Sequence, residues 1–429
     1  MRFQTERPTS WQACLACGNE ITETDPHSRC PACGGLLEIQ HRPPDLTPEE
    51  LLGRFTERRG QEPASPSGVW RFREIVLPGA RQIVSHPEGN TPLLHRDALD
   101  RWTGMQRLLL KHEGHNPTGS FKDRGMTVGV TQAIRIGASA VACASTGNTS
   151  ASLAAYASQA GLPALVLVPA QGVALGKLTQ SLAYGARTLL VRGDFDDCLR
   201  LVEEASSKLG VYLLNSINPF RLEGQKTIVL ELLQQLGWVA PHWIVLPAGN
   251  LGNTAAFGKA LREAHAWGLI SRMPRLAAVQ AAGAAPFARS YAEGFARRHK
   301  VKAETVATAI RIGDPASYDR AVRAIRETNG VVLAVEDSEI LDAKAAVDGC
   351  GVGCEPASAA SVAGVRQLVK SGTVAPDQRT VAVLTGHILK DPEMLVRFHR
   401  EMEPPPKGAN RPIEIAADLR EVERALKKK

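Results

Sequence analysis

Lys111-His-Glu-Gly-His-Asn-Pro-Thr-Gly-Ser-Phe-Lys-Asp-Arg-Gly125 is the stretch whose reading decides the fold. It starts at the end of the apolar run Arg107–Lys111, which suits a buried strand. Thr118, Gly119 and Ser120 are poor helix-interior residues. Beyond them Met126, Val130, Ala133, Ile134 and Gly137 recur with a helical period. The stretch therefore reads as strand, glycine turn, helix, with Lys122 opening the helix. Ser120 and Asp123 have the spacing of a capping box, which predicts that they bond across the first turn. A lysine in that turn faces the positive end of the helix dipole, which disfavours the ammonium. A neutral lysine amine is the form that makes a Schiff base with a carbonyl. Taken alone, a lysine after a turn is an ordinary surface cation, so the rest of the chain has to decide.

The same strand, turn and helix pattern repeats. Apolar runs at Ala140–Ala144, Ala164–Val168, Thr188–Val191, Trp243–Leu246, Arg275–Val279, Gly330–Val335 and Thr380–Leu384 read as further buried parallel strands, with helical patterns between most of them. That alternation predicts doubly wound α/β sheets. With 429 residues, 44% of them apolar, the chain is long enough for two or three domains around a large core. It holds no apolar run long enough for a transmembrane helix. Its N-terminus resembles neither a signal peptide nor a transit peptide. The net charge of +7 comes without a basic run interleaved with aromatics, so an anionic small molecule suits it better than nucleic acid. A membrane partner is likewise not expected.

Eight cysteines are present, and four of them fall in two pairs, Cys14-Leu-Ala-Cys17 and Cys30-Pro-Ala-Cys33. Two such pairs can close a tetrahedron around zinc with no open position, which predicts a structural site. Gly18 and Gly34 follow the pairs and permit a positive φ. Residues 1–40 are thus expected to form a small ribbon-like unit that needs its metal to fold. Cys143, Cys198, Cys350 and Cys354 are dispersed and read as ordinary thiols of a cytoplasmic, reducing compartment. Residues 41–68 are partly linker, with a short helix expected over Pro48–Arg58. A loop from Glu403 to Pro412 precedes a charged C-terminal helix ending in Lys427-Lys428-Lys429.

Three more glycine-bearing turns each follow an apolar strand, and ligands in such sheets gather at the strands' carboxyl ends. Ala144-Ser-Thr-Gly-Asn-Thr-Ser150 offers hydroxyls, an amide and N–H groups at a helix N-terminus, which suits a carboxylate or phosphate. Pro247-Ala-Gly-Asn-Leu-Gly-Asn-Thr254 reads as a nest of N–H donors for a phosphate. Thr385, in Leu384-Thr-Gly-His387, ends a strand and can point a hydroxyl into the same site. A lysine nucleophile, a phosphate nest and an anion-binding turn on an α/β frame together suggest pyridoxal phosphate. Neither a Gly-x-x-x-x-Gly-Lys-Ser/Thr loop nor a Gly-x-Gly-x-x-Gly turn after a strand is present to favour a nucleotide.

Over most of residues 70–400 the sequence resembles threonine synthases, within the fold-type II (tryptophan synthase β-like) pyridoxal-phosphate enzymes. The resemblance rests on Asn116 to Gly125, Ser145-Thr-Gly-Asn-Thr149, Asn215 to Thr227, Gly249-Asn-Leu-Gly-Asn253, Glu355-Pro-Ala-Ser-Ala-Ala360 and Thr385-Gly-His387, in the family's order. Some members also carry a zinc-ribbon-like N-terminus. The resemblance implies a large cofactor domain in two parts, 41–138 and 214–402, a smaller mobile α/β domain at 139–213, and a tail at 403–429. It implies that Lys122 holds the cofactor and shuttles protons, with Phe121 lining the ring and Asn148 bonding its phenolic oxygen. Gly249, Asn250, Leu251, Gly252 and Asn253 would bind the cofactor phosphate. Thr385 would face the pyridine nitrogen, leaving it largely unprotonated. Ser145, Thr146 and Asn148 would hold the substrate carboxylate; Thr149, Asn215, Ser216 and Arg221 would hold a substrate phosphate, a task that suits the guanidinium fork.

The activity implied is conversion of O-phospho-L-homoserine and water to L-threonine and phosphate, by a homodimer. The neighbouring alternatives are a cysteate or cysteine synthase using O-phosphoserine, or a serine/threonine dehydratase, which needs no phosphate site. One departure stands out: Ile388 occupies a position where the family usually has glycine. A side chain there is expected to reshape the loop near the pyridine. His112, His115 and His387 read as supporting groups rather than catalysts.

Overall fold

The computed structural model describes residues 8–60, 67–171 and 178–427, so part of the 41–68 linker, the first residues of the cysteine-bearing unit and Lys428–Lys429 lie outside it. Every apolar run named above forms a strand, with ends shifted by a residue or two. In chain order the strands are β1 (Ser10–Cys14), β2 (Glu20–Thr22), β3 (Leu37–His41), β4 (Leu93–His95), β5 (Leu108–His112), β6 (Ala140–Ala144), β7 (Ala164–Pro169), β8 (Arg187–Val191), β9 (Val211–Leu213), β10 (Trp243–Pro247), β11 (Arg275–Ala281), β12 (Val331–Val335) and β13 (Thr380–Leu384). They build three sheets, ordered β2-β1-β3, β12-β11-β10-β13-β5-β4 and β8-β7-β6-β9.

The first sheet is antiparallel, with Cys14 at the end of β1 and Cys17, Cys30 and Cys33 on the connections between its strands. Gly18 and Gly34 both take φ +73°, the left-handed turn that each cysteine pair needs. The six-stranded sheet is parallel except for its edge strand β4, which runs against β5. The four-stranded sheet is wholly parallel. The central strands β5, β6, β10 and β13 are buried along their whole length, as strands covered on both faces must be. The strands β1 to β3 of the N-terminal sheet and the short strands β4 and β9 are additions that the sequence reading did not name; in β2, β4 and β9 three residues are too few to leave a periodic signal. Pro48–Gly60 is the helix expected in the linker, and the C-terminal helix spans Leu419–Lys427.

Beneath the Lys122 turn lies a buried ionic core. Glu231 accepts from Lys111 Nζ at 2.5 Å and Arg124 Nη2 at 2.9 Å, and Arg71 Nη2 lies 3.1 Å away. The backbone N–H groups of Asn90 and Thr91 complete its shell at 2.8 and 3.0 Å. Arg124 also donates to Glu113 at 2.7 and 2.9 Å. Charges this deep persist only when paired and bonded this fully.

Helix Lys122–Arg135 packs against helix Pro219–Gln225 at a distance that only glycine allows. A Cβ on Gly224 would lie 1.7 Å from the Arg124 carbonyl oxygen, and one on Gly125 would lie 3.0 Å from the Arg221 carbonyl oxygen. These glycines thereby bring the Lys122 helix and the Arg221 helix into direct backbone contact.

Candidate active site

The carboxyl ends of β5, β6, β9, β10 and β13 supply the residues singled out in the sequence. After β5 the turn ends at Gly119, with φ +85°, and the helix opens at Lys122 as expected. The capping box between Ser120 and Asp123 does not form. Asp123 instead accepts from Thr118 N at 2.7 Å, Thr118 Oγ1 at 2.6 Å and Ser152 Oγ at 2.6 Å. Ser120 is drawn the other way by backbone pairing with Gly386, so that Phe121 N donates to the Thr385 carbonyl and His387 N to that of Gly119. Tertiary pairing with the β13 turn thus outcompetes the local cap. Burial pushes the Asp123 carboxyl up to about 6.

Lys122 is half-buried, with the buried Arg221 and Glu355 near enough to act on its charge. Its Nζ lies 4.2 Å from the centre of the Phe121 ring. Its ammonium is pushed down from 10.5 to about 7, first because the surrounding protein desolvates it and next because the Arg221 cation faces it; Glu355 opposes both. The direction matches the expectation drawn from the helix dipole, but burial and Arg221 produce it.

After β6, Ser145 to Thr149 lead into helix Asn148–Ala160. Asn148 Nδ2 donates to Glu355 Oε2 at 3.0 Å. Thr385 Oγ1 donates to Glu355 Oε1 at 3.3 Å and lies 3.0 Å from Ser358 Oγ. Glu355 is buried, and desolvation pushes its carboxyl up from 4.5. A Cβ on Gly386 would meet this carboxylate at 2.4 Å, which accounts for the glycine after Thr385. Sequence reasoning gave Glu355 and Ser358 no role. The available signal was an acid directly before Pro356, at the N-cap of a helix rich in small residues.

After β10, Leu251 takes φ +64° and turns the chain into helix Gly252–Ala266. Asn250 fastens this turn: its Oδ1 accepts from Ala316 N at 3.1 Å, and its carbonyl accepts from Ser317 N at 3.2 Å. Gly249 is required by packing, since a Cβ there would lie 2.9 Å from Ile310 Cα. Asn253 Oδ1 and Thr254 Oγ1 are buried at the helix start without partners among the described residues. The Thr254 hydroxyl, able to donate at a helix N-terminus beside a left-handed turn, fits a phosphate group, whereas Asn253 Oδ1 can only accept. Gln225 was quoted in the sequence without a role. It lies between Gly125 and Gly252, its Oε1 3.4 Å from where a Gly252 Cβ would sit.

Asn215 follows β9. Its Oδ1 accepts from Ala144 N at 3.0 Å and so joins the end of β6 to the Arg221 segment. Ser216 is half-buried beside it. Arg221 is 1% exposed, and its Nη1 donates to the Leu214 carbonyl at 3.0 Å. Its Nε and Nη2 are buried without partners among the described residues. Burial lowers its guanidinium from 12.5 to about 10. Two buried guanidinium donors without partners among the described residues, close enough to Lys122 to shift it, are suited to an anion.

His112 is buried, with Nε2 2.8 Å from the Gly353 carbonyl and Nδ1 accepting from Gly114 N at 3.1 Å, a set that fits a neutral supporting ring. His387 Nδ1 accepts from Leu389 N. Ile388 rests on the Gly353 turn, its Cδ1 3.2 Å from where a Gly353 Cβ would sit, so its side chain is taken up by the 348–355 loop. Cys350 and Cys354 are free thiols. At the other end of the chain, the Cys14, Cys17, Cys30 and Cys33 sulfurs all lie within 4.8 Å of one another.

Residues 84–386 match the family of pyridoxal-phosphate dependent enzymes. Threonine synthase of Methanosarcina acetivorans is 46% identical over 89% of this chain and 93% of its own length. That of Methanocaldococcus jannaschii is 43% identical over 97% of this chain and 99% of its own length. The solved structure of Escherichia coli threonine synthase shares the fold, with a TM-score of 0.67 at 18% identity over 96% of this chain and 94% of that one. The chain belongs to the pyridoxal-phosphate-dependent enzymes, on their threonine synthase branch. Among the described residues, no helix is long and apolar enough to cross a membrane.

Proposed function

We propose that this chain converts O-phospho-L-homoserine and water to L-threonine and phosphate. The observation that carries this reading is Arg221, a buried guanidinium with two donors unpaired among the described residues and facing a depressed lysine. A simple dehydratase has no use for a buried cation there, whereas a phosphorylated amino acid does.

When bound, pyridoxal phosphate supplies an electron sink for carbanions next to the substrate nitrogen. The residues suited to hold it are Lys122, Phe121, Asn148, Thr385 and the turn Gly249, Asn250, Leu251, Gly252, Asn253. Arg221, with Thr149, Asn215 and Ser216, takes the substrate phosphate. Asn215 Oδ1 is already engaged with Ala144, so its Nδ2 is the donor left for that anion. Ser145, Thr146 and Asn148 take the carboxylate. Lys122 is held near neutrality at physiological pH, so its amine can take the Cα proton and later return one. Arg221 then serves twice: it binds the phosphate that leaves Cγ, and its charge adds to burial in disfavouring the Lys122 ammonium. Closure of the 139–213 unit over the 41–138 and 214–402 parts would dry the site for these proton movements.

The same reading includes a structural zinc on Cys14, Cys17, Cys30 and Cys33. Metal–sulfur arms of about 2.3 Å give tetrahedral edges of about 3.8 Å. The Cys14–Cys33 and Cys17–Cys30 separations of 3.5 and 3.7 Å fit that figure. It also includes a homodimer, on the family resemblance, and a cytoplasmic setting, on the free thiols.

The test is phosphate release from O-phospho-L-homoserine, run beside O-phospho-L-serine plus sulfide, with Lys122→Ala as control. Phosphate and threonine from the first arm, lost in the variant, are expected. Turnover in the second arm alone would transfer the chain to the β-replacement synthases.

A further inference from the structure

This inference rests on the reading of Arg221 as the substrate-phosphate arginine. Arg221 and Glu223 stand two residues apart on helix Pro219–Gln225 and so project from nearly opposite faces. One face packs on the Lys122 helix through Gly125 and Gly129. The other meets the cysteine-bearing unit. His41 ends β3, and its Nε2 lies 2.7 Å from Glu223 Oε2, with both side chains at most 1% exposed. Ser10, paired with His41 across β1 and β3, holds the ring from behind with Oγ 2.8 Å from Nδ1. Burial and the Lys226 cation keep the imidazole neutral, so it donates from Nε2 to the carboxylate and accepts the Ser10 hydroxyl at Nδ1.

The docking continues along the same strand. Glu38 meets Arg262 at 3.3 Å and Arg323 at 3.2 Å, and Arg320 donates to the Leu37 carbonyl. Glu223 is further clamped by Lys226 at 2.5 Å and Lys259 at 2.8 Å. A helix of seven residues has little rigidity of its own. Its place is fixed by the glycine contact on one side and, on the other, by β3 together with Lys226 and with Lys259 of helix Gly252–Ala266. We propose that the N-terminal unit positions the substrate-phosphate arginine through the His41–Glu223 bond, so that it sets substrate affinity as well as stability. His41 and Glu223 are positioning residues in this scheme and do not touch substrate.

The test uses full-length holoenzyme with the four cysteines intact. His41→Leu is compared with His41→Gln, whose amide can still donate to Glu223, and with Arg221→Lys. The readouts are kcat and KM for O-phospho-L-homoserine, the inhibition constant of inorganic phosphate, and the affinity for L-threonine from the cofactor's visible absorbance. In His41→Leu, KM and the phosphate constant are expected to rise about tenfold, the size of one lost bond to a buried charge. The kcat and L-threonine affinity stay, and His41→Gln recovers most of the loss. Unchanged phosphate affinity in a folded His41→Leu overturns the proposal, as does an equal loss of phosphate and L-threonine affinity, which marks general loosening. If His41→Leu does not fold, Ser10→Ala carries the test, with an expected rise of about threefold and the same overturning results. Unchanged phosphate affinity in Arg221→Lys refutes the reading of Arg221 itself; impairment there with none at His41 refutes only the positioning role.

Discussion

Desolvation of Lys122 leads to a measurable rate. An ammonium at its ordinary 10.5 would be neutral in about 3 molecules of 10,000 at pH 7, whereas one at about 7 is neutral in about half. If only the neutral amine captures the cofactor, capture at pH 7 is faster by about a thousandfold than for an unperturbed lysine. The assay mixes cofactor-free protein with pyridoxal phosphate from pH 5.5 to 9 and follows the visible absorbance of the attached cofactor. Nα-acetyl-lysine run in parallel, its rate divided by its own neutral fraction at each pH, supplies the reagent's titration, which is then divided out. The normalised rate is expected to rise with pH, with a midpoint near 7, and to level above about 8. Arg221→Met removes a cation that disfavours the ammonium, so its midpoint moves to higher pH. Glu355→Gln removes an anion that favours it, so its midpoint moves lower. Burial is the larger cause, so both displacements stay smaller than the overall depression. A wild-type midpoint above about 9, or an Arg221→Met midpoint that moves down, would refute the argument that burial and Arg221 set this amine.

Three further outcomes follow from the packing. Gly224→Ala forces a methyl against the Arg124 carbonyl, so it should lower stability by more than about 3 kcal/mol in a denaturant melt and reduce cofactor capture through the displaced Lys122 helix. Glu231→Gln leaves Lys111 and Arg124 short of a buried partner and should cost about 3–5 kcal/mol at pH 7. The cations hold the Glu231 carboxyl well below 4.5, so its stabilisation is present above that value and lost as pH falls beneath it; the variant's stability should change less with pH over that range. Treatment with a strong chelator should release one metal ion per chain and lower the melting temperature before it alters kcat, as expected of a site with four protein ligands. Unchanged melting after complete metal removal would count against a structural role.

Most strands of the two large sheets and the glycine turns that follow them were open to reading in the chain itself, whereas the order of strands within each sheet was not. Buried parallel strands must be continuous apolar runs, and the glycine turns after them leave local signatures, so Ala140–Ala144 and Trp243–Pro247 declared themselves. Lys122 could be picked because Thr118, Gly119 and Ser120 break the helix just before it. The paired cysteines likewise announced a tetrahedral set by spacing alone. Glu355, Gln225 and the His41–Glu223 bond left no such trace. An isolated acid or amide has no period, and residues 182 positions apart meet only when separate sheets dock. The failure of the Ser120–Asp123 cap has the same origin: a local bond worth about 1 kcal/mol gave way to backbone pairing with Gly386 and to the hydroxyls of Thr118 and Ser152. The sequence by itself therefore determined the elements and the chemistry-bearing turns, because those depend on periodicity and backbone preference. Only the tertiary structure decided the protonation of Lys122, the free donors of Arg221 and the docking of the N-terminal unit, because desolvation and charge depend on what distant parts of the chain bring alongside.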